Sequence, residues 1–320
     1  IPVHATRHDA SLRELAGFVV GQIDLSGDRQ DVILHDHGQW LPMNRASAAT
    51  AREYGIKRIV TPRGMLSPWA MRYKRLKKQV AWQWFGRRDL QQASVLHATS
   101  QLEADELRAL GARQPIAVIP NGVESVSTCV DEMAKCKQVV FMSRLHAKKG
   151  VQELVDAWRT VQPRDWELIL AGPDEDNFLA TLSLLPTESI SYVGEVEGQQ
   201  KWDLLGKASL FVLPSYSENF GVVVAEALMA GTPVITTHGT PWESLCRHRC
   251  GWWIPMTSDT LSETLRQATT LELIDLAAMG SRGRIYAAES FSWPSIGEQM
   301  ASVYRWMIGR GDPPKCVSFK

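Results

Sequence analysis

The chain has 320 residues, 44% hydrophobic and 22% charged, and its 35 basic and 35 acidic side chains cancel to a formal net charge of zero. That composition describes a folded globular chain rather than a disordered one, and the zero balance gives no overall pull toward nucleic acid. No run reaches the roughly 20 consecutive apolar residues that a membrane-spanning helix needs.

The length allows two α/β domains of roughly 100–200 residues each. Short apolar runs alternate with segments of helical period, the pattern of a parallel sheet covered by helices. In the first half, strands are predicted over 31–35, 57–61, 95–99 and 116–119, with a helix over 101–110. His35 and His37 flank Asp36 at the end of the first strand. They read either as packed imidazoles or as a polar lining of a binding crevice.

Between the second and third strands, positions 69–88 mix seven basic residues with Trp69, Met71, Tyr73, Trp82, Trp84 and Phe85. At helical period Tyr73, Leu76, Val80 and Trp84 share a face. Such a segment suits either an interfacial helix on anionic lipid or an amphipathic helix burying its aromatics in the first domain, the plainer expectation. It carries much of a charge asymmetry. Residues 1–124 hold 17 basic and 12 acidic side chains, and the remainder holds 18 and 23.

Pro120-Asn121-Gly122-Val123 supplies turn residues, and a polar stretch follows. The expected organisation is therefore a first domain over 1–124, a linker over 125–137, a second domain over 138–295, and a C-terminal helix and tail over 296–320. The first domain reads as short, and an opening strand–loop–helix unit is expected to be missing from it. In the second half, strands are predicted over 138–143, 166–171, 191–193, 210–213 and 233–237. Helices fit at 151–161, 199–207, 222–230 and 261–269. The five cysteines are odd in number and scattered, which suits a reducing compartment. With no basic end and apolar run at its start, the chain reads as cytoplasmic. Cys246 and Cys250 flank His248, but no second ligand pair follows at zinc spacing.

Two segments carry chemistry. Glu218-Asn219-Phe220-Gly221-Val222-Val223-Val224-Ala225-Glu226 leads from a strand into a helix. The N–H groups of Phe220, Gly221 and Val222 would stand unpaired at that helix start, a ready site for phosphate. Glu226 would lie about a turn into the helix. The other segment, Ser143-Arg144-Leu145-His146-Ala147-Lys148-Lys149-Gly150, follows the first strand of the second domain. Arginine there can fork onto two phosphate oxygens and lysine adds a point charge. Each segment alone also fits a capped helix or a solvated basic loop.

Together they resemble the retaining glycosyltransferases of family 4, which have the GT-B fold: two Rossmann-like α/β domains facing a central cleft. Supporting motifs are Ile119-Pro120-Asn121-Gly122-Val123, Leu170-Ala171-Gly172-Pro173 and Tyr192-Val193-Gly194. Thr61-Pro62-Arg63-Gly64-Met65-Leu66 resembles the subset that builds O-antigen, capsule, lipopolysaccharide or exopolysaccharide in bacteria. The resemblance implies a nucleotide-diphosphate sugar donor and a glycan or lipid-linked glycan acceptor, with peripheral contact with the inner membrane. It implies that Arg144 and Lys149 hold the diphosphate, that Glu226 accepts from the ribose hydroxyls, and that Glu218 with the N–H groups of Asn219–Val222 binds sugar and phosphate. The segment after Gly194 would lie beside the base.

Many members of the family carry histidine where this chain has Arg63, and arginine cannot serve as a base at neutral pH. Arg63 is therefore expected to act electrostatically, with His35 and His37 on the acceptor side. Neither a catalytic metal nor a cofactor is expected. Alternative readings are a nucleotide-sugar 2-epimerase of the same fold and a truncated, weakly active or inactive nucleotide-sugar binder. A dinucleotide oxidoreductase ranks last, because no G-x-G-x-x-G stands at a strand-to-helix turn.

Overall fold

The computed structural model describes residues 31–125, 135–185 and 187–319. Most of the expected linker, and any expectation about the start of the first domain, lie outside those residues. The chain divides into two compact units, Ile1–Pro120 with Gly297–Lys320, and Asn121–Ile296.

The first unit runs β1 (Ile33–His37), α1 (Pro42–Tyr54), β2 (Lys57–Thr61), α2 (Pro68–Arg72) and α3 (Arg75–Ala81). A π-type turn (Trp82–Gly86), α4 (Arg87–Gln91), β3 (Val95–Ala98), α5 (Gln101–Ala109) and β4 (Ile116–Val118) follow. The second unit opens with β5 (Cys136–Met142), a 3₁₀ turn (Ala147–Lys149), α6 (Val151–Val161), β6 (Glu167–Ala171) and β7 (Ile190–Tyr192). It continues with α7 (Gly198–Lys207), β8 (Ala208–Leu213), α8 (Val222–Met229), β9 (Val234–Thr237), α9 (Ser244–Arg247), β10 (Gly251–Ile254), α10 (Ser258–Thr270) and α11 (Leu273–Phe291). The chain then returns to the first unit through α12 (Trp293–Met307) and β11 (Val317–Ser318).

The first sheet has the order β1-β2-β3-β4-β11, parallel except where β11 pairs antiparallel with β4. The second has the order β10-β9-β8-β5-β6-β7 and is parallel throughout. In that sheet the chain builds outward from β5 to β7, then crosses back and builds the other way from β8 to β10. All six residues of β8 are buried, as a strand covered by helices on both faces requires. The predicted strands lie within two residues of those observed.

Two of the helices missed by sequence reading have a common feature. Helix α1 buries Asn44, Ala46, Ser47, Ala48, Thr50 and Ala51, a face of small and polar side chains with no large apolar stripe. Helix α11 likewise buries Ala277, Gly280, Gly283 and Ala287. Close packing through small residues leaves little hydrophobic periodicity to read.

The plainer expectation for 69–88, that its aromatics pack into the first domain, is corrected. Trp82 points inward, its ring 6.4 Å from Trp40, and joins the core cluster of Val60, Leu66, Leu90 and Leu96. Tyr73, Leu76, Val80 and Trp84 are instead 58%, 79%, 65% and 85% exposed. Residues two apart on a helix point to nearly opposite sides, so one packed tryptophan sends the other outward.

One buried ion pair ties the first unit together. Arg58 on β2 is 2% exposed and donates from Nε to Asp36 Oδ2 on β1 at 2.6 Å. Its Nη1 donates to the Asp89 carbonyl on α4 and its Nη2 to the Asn44 carbonyl on α1. Burial pushes the Asp36 carboxyl above its ordinary value, and the Arg58 charge opposes that push. Replacing Arg58 with leucine strands a buried carboxylate. We expect Arg58→Leu to lose about 3–5 kcal/mol in urea unfolding.

Candidate active site

In an open parallel sheet, ligands bind beyond the carboxyl ends of the strands at the point where the strand order reverses. In the second unit that point lies between β5 and β8. The loops following these two strands, 143–150 and 214–221, are therefore neighbours. Hydrogen bonds join them: the Lys148 carbonyl accepts from the Tyr216 N–H at 2.9 Å and from Ser215 Oγ at 3.2 Å. Gly150 closes the first loop at φ +68°, where a β-carbon would stand 2.0 Å from the Pro214 carbonyl oxygen. Only glycine permits both the left-handed turn and that approach. Gly172, at φ +127°, brings the turn after β6 equally close to the backbone of Ser143.

These loops bring Lys149 and Glu218, 69 residues apart in sequence, into a 2.5 Å ion pair. Both are largely buried. Arg144 and Glu226 line a cavity of about 220 Å³ with Met142, Gly172, Pro173 and Glu195. Arg144 is half exposed and lies 3.9 Å from Glu175, a loose surface pair that leaves it able to turn toward a ligand. Glu195 follows Gly194, whose φ of +77° turns the chain at the end of β7, and Gly194 accepts at its carbonyl from the Gly172 N–H.

Gly221 caps α8 at φ +77°, and at that helix start the N–H groups of Gly221 and Val222 meet no helical acceptor. The Phe220 side chain points away from the ligand side. It is buried against Trp242 and Phe291, and Trp242 Nε1 donates to its carbonyl, so the ring anchors the loop that Asn219 and Gly221 belong to.

Sequence reading missed Lys201. From α7 its ammonium donates to Glu226 Oε1 at 2.7 Å, with both side chains mostly buried. Nothing marks it in the sequence, since Lys201 and Glu226 stand 25 residues apart on different helices. The two glutamates are thus each held by a different lysine.

The first unit gathers the other candidates. Arg63 has φ 56°, unusual for a residue with a β-carbon, and stands next to Gly64 at φ 70°. The buried carboxylate of Glu103 holds this turn, accepting from the Gly64 N–H through Oε1 and from the Thr99 N–H through Oε2, both at 2.8 Å. The Ser100-x-x-Glu103 pattern was a legible capping signal, and Ser100 Oγ does accept from the Glu103 N–H. That the carboxylate reaches across to Gly64 was not legible. The Arg63 guanidinium donates to His37 Nδ1, with Nη2 at 3.1 Å. His37 must therefore be neutral with its proton on Nε2, and burial followed by the Arg63 charge lowers its pKa accordingly.

His35, stacked 4.4 Å from His37, has both ring nitrogens engaged. His97 Nε2 lies 2.8 Å from the Ile119 carbonyl, which can only accept, so its Nδ1 accepts from the Thr61 hydroxyl at 2.9 Å. Thr61 Oγ1 in turn accepts from His35 Nε2 at 2.7 Å, and His35 Nδ1 accepts from the Tyr304 hydroxyl at 2.5 Å. The chain of donors runs one way from α12 through β1, β2 and β3 to the end of β4. Its neutral state is enforced by burial, which lowers His35 to about 3 and His97 to about 4. Among the described residues, no group of three or more histidine, cysteine or carboxylate side chains is arranged to hold a metal ion.

A family profile described as Glycosyl transferases group 1 matches residues 131–285, and one described as Glycosyl transferase 4-like domain matches residues 2–122. The chain is similar to an uncharacterized glycosyltransferase of Methanocaldococcus jannaschii, 27% identical over 184 residues, 54% of this chain and 47% of that protein. It is also similar to the GDP-mannose-dependent monoacylated alpha-(1-6)-phosphatidylinositol monomannoside mannosyltransferase of Corynebacterium glutamicum. That likeness is 27% identity over 225 residues, 61% of this chain and 57% of the relative. The chain thus spans about half the length of these two curated relatives. Its fold matches the crystal structure of Anabaena HepE in complex with UDP and glucose, with a TM-score of 0.74 and 21% identity, over 92% of this chain and 83% of that one.

Two of the depressed histidines, His35 and His97, set a pH dependence. Below pH 6.5 the unfolded chain takes up protons that folded His35 and His97 refuse, so stability falls as the pH drops toward 4. Each contributes up to about 1.4 kcal/mol per pH unit. Urea unfolding at pH 7 and pH 5 should show the wild type losing about 2 kcal/mol more than His97→Asn over that interval.

Proposed function

Because this chain belongs to family 4 of the glycosyltransferases, with the GT-B fold, we propose that it moves a hexose from a nucleotide-diphosphate sugar to a glycan or lipid-linked glycan, retaining the anomeric configuration. The observation that carries the reading is the pairing of Glu218 and Glu226 each with its own lysine around one strand-end site. Two carboxylates flanking a glycosidic bond would need to act as acid and base or nucleophile. Here the Lys149 ammonium, 2.5 Å from Glu218, blunts its carboxylate as a nucleophile and suits it to accept from sugar hydroxyls.

In this proposal the nucleoside enters the cavity lined by Gly172, Pro173, Glu195 and Glu226, whose roughly 220 Å³ takes only part of a nucleotide sugar. Glu226 Oε2 accepts from ribose while Lys201 fixes Oε1. Arg144, Lys149 and the N–H groups of Gly221 and Val222 receive the diphosphate and stabilise the negative charge that grows as it departs. The sugar lies against Glu218 and Asn219. In the first unit, His37 presents its Nε2–H to the acceptor, Arg63 supplies positive charge without proton transfer, and His35 holds His37 in place. The chain needs no metal or cofactor for these steps. The relative that acts on a phosphatidylinositol monomannoside supports a lipid-linked acceptor, and with it cytoplasmic work in peripheral contact with the inner membrane. The wider reading is bacterial polysaccharide or lipopolysaccharide assembly.

Calorimetric titration with UDP and GDP tests the site. One nucleotide should bind at micromolar Kd, and Lys149→Ala and Glu226→Ala should each weaken it ten-fold or more, about 1.4 kcal/mol. Unchanged affinity in both variants would remove the site from this region. Retention is read separately, from the anomeric configuration of the product by NMR.

Lys201 gives a sharper outcome. If it orients Glu226 toward ribose, removing a ribose hydroxyl from the nucleotide should cost the wild type affinity and cost Lys201→Met much less. Equal penalties in the two proteins would make Lys201 a merely structural partner.

A further inference from the structure

We propose that the outward face of the α3–π-turn segment is a docking surface for an anionic lipid bilayer. This deepens, and rests on, the peripheral membrane contact proposed above by naming the face and the lipid charge that it takes. Leu76 and Val80 on α3, Trp84 on the π-type turn, and Tyr73, in extended backbone ahead of α3, are each more than half exposed. They are not loosely held: the opposite side of the same segment is fastened by Trp82 against Trp40 and by Gly86, whose carbonyl accepts from Gln39 Nε2 at 3.0 Å. The face is a rigid apolar ridge.

Its surroundings identify the occupant. Arg72, Lys74, Arg75, Lys77, Arg87 and Arg88 of the same segment are all exposed, and no acidic residue occurs from Trp69 to Arg88. None of these six forms an ion pair among the described residues. A second copy of the chain would bring the same positive charge to the ridge and be repelled. An anionic bilayer offers acyl chains to the ridge and headgroups to the cations, with Tyr73 and Trp84 suited to the boundary between them. No helix among the described residues is long and apolar enough to cross a membrane, so the contact lies in the interface plane. Each cation near such a surface strengthens partitioning about five-fold.

The test is co-sedimentation of the full chain with vesicles of phosphatidylcholine alone and of phosphatidylcholine with one-third phosphatidylglycerol. Binding to the anionic vesicles should exceed binding to the neutral ones at least ten-fold. It should fall ten-fold or more in Leu76→Ser/Trp84→Ser, in Arg75→Gln/Lys77→Gln, and on raising salt from about 0.1 M to about 1 M, where the screening length shrinks to ~3 Å. UDP or GDP titration of the same variants should match the wild type, which confirms that they fold. Equal binding to both vesicle types, no binding, or variants that sediment like the wild type would each overturn the proposal. So would a wild-type dimer, seen without vesicles, that Leu76→Ser/Trp84→Ser converts to monomer. Vesicle binding that persists while nucleotide titration fails would sink the donor site and leave this surface standing.

Discussion

The candidate donor site depends on one constraint, the contact between the loop after β5 and the loop after β8. The sheet builds outward in both directions from this pair of strands, so their C-terminal ends form the one place where two successive crossovers part. Gly150 allows the first loop to lie against Pro214, and Lys148 fastens it to Ser215 and Tyr216. Lys149 can then meet Glu218. A bulkier residue at Gly150 would push the loops apart and separate the charges. The phosphate-suited residues are arranged by backbone approach before any side chain is considered.

The first unit solves a different problem, that of keeping histidines neutral at a strand-end site. Burial disfavours the imidazolium, and the one-way chain of donors from Tyr304 to the Ile119 carbonyl leaves each nitrogen a single role. Because Tyr304 belongs to α12, the C-terminal helix is tied into the strand ends that carry Arg63 and His37. Arg63 then acts beside an imidazole that can only donate outward. The buried Arg58–Asp36 pair fixes β1 and β2 beneath these residues.

The α3–π-turn segment carries large apolar side chains on two sides, one packed and one exposed. Trp82 fills the core next to Trp40, and Trp84, two positions on, is 85% exposed. A soluble surface ordinarily scatters its large apolar residues singly. Here four stand exposed within twelve residues, Tyr73, Leu76, Val80 and Trp84, in a segment with cations and no carboxylate.

Much of this was legible in the sequence, and the boundary has a physical reason. Apolar runs marked nine of the eleven described strands, β10 and β11 excepted, and the switch from strand to glycine-bearing loop to helix marked Arg144, Lys149, Glu218 and Glu226, because local backbone chemistry creates both signals. Helices α1 and α11 escaped because small residues pack closely without a large apolar stripe. Lys201 reaching Glu226, Glu103 reaching Gly64, and Tyr304 reaching His35 across 269 positions escaped because no spacing rule links residues on different elements. Helical period grouped Tyr73, Leu76, Val80 and Trp84 on one face, since period is a local property. Which way that face points depends on what the other side packs against, and only the tertiary structure decided it.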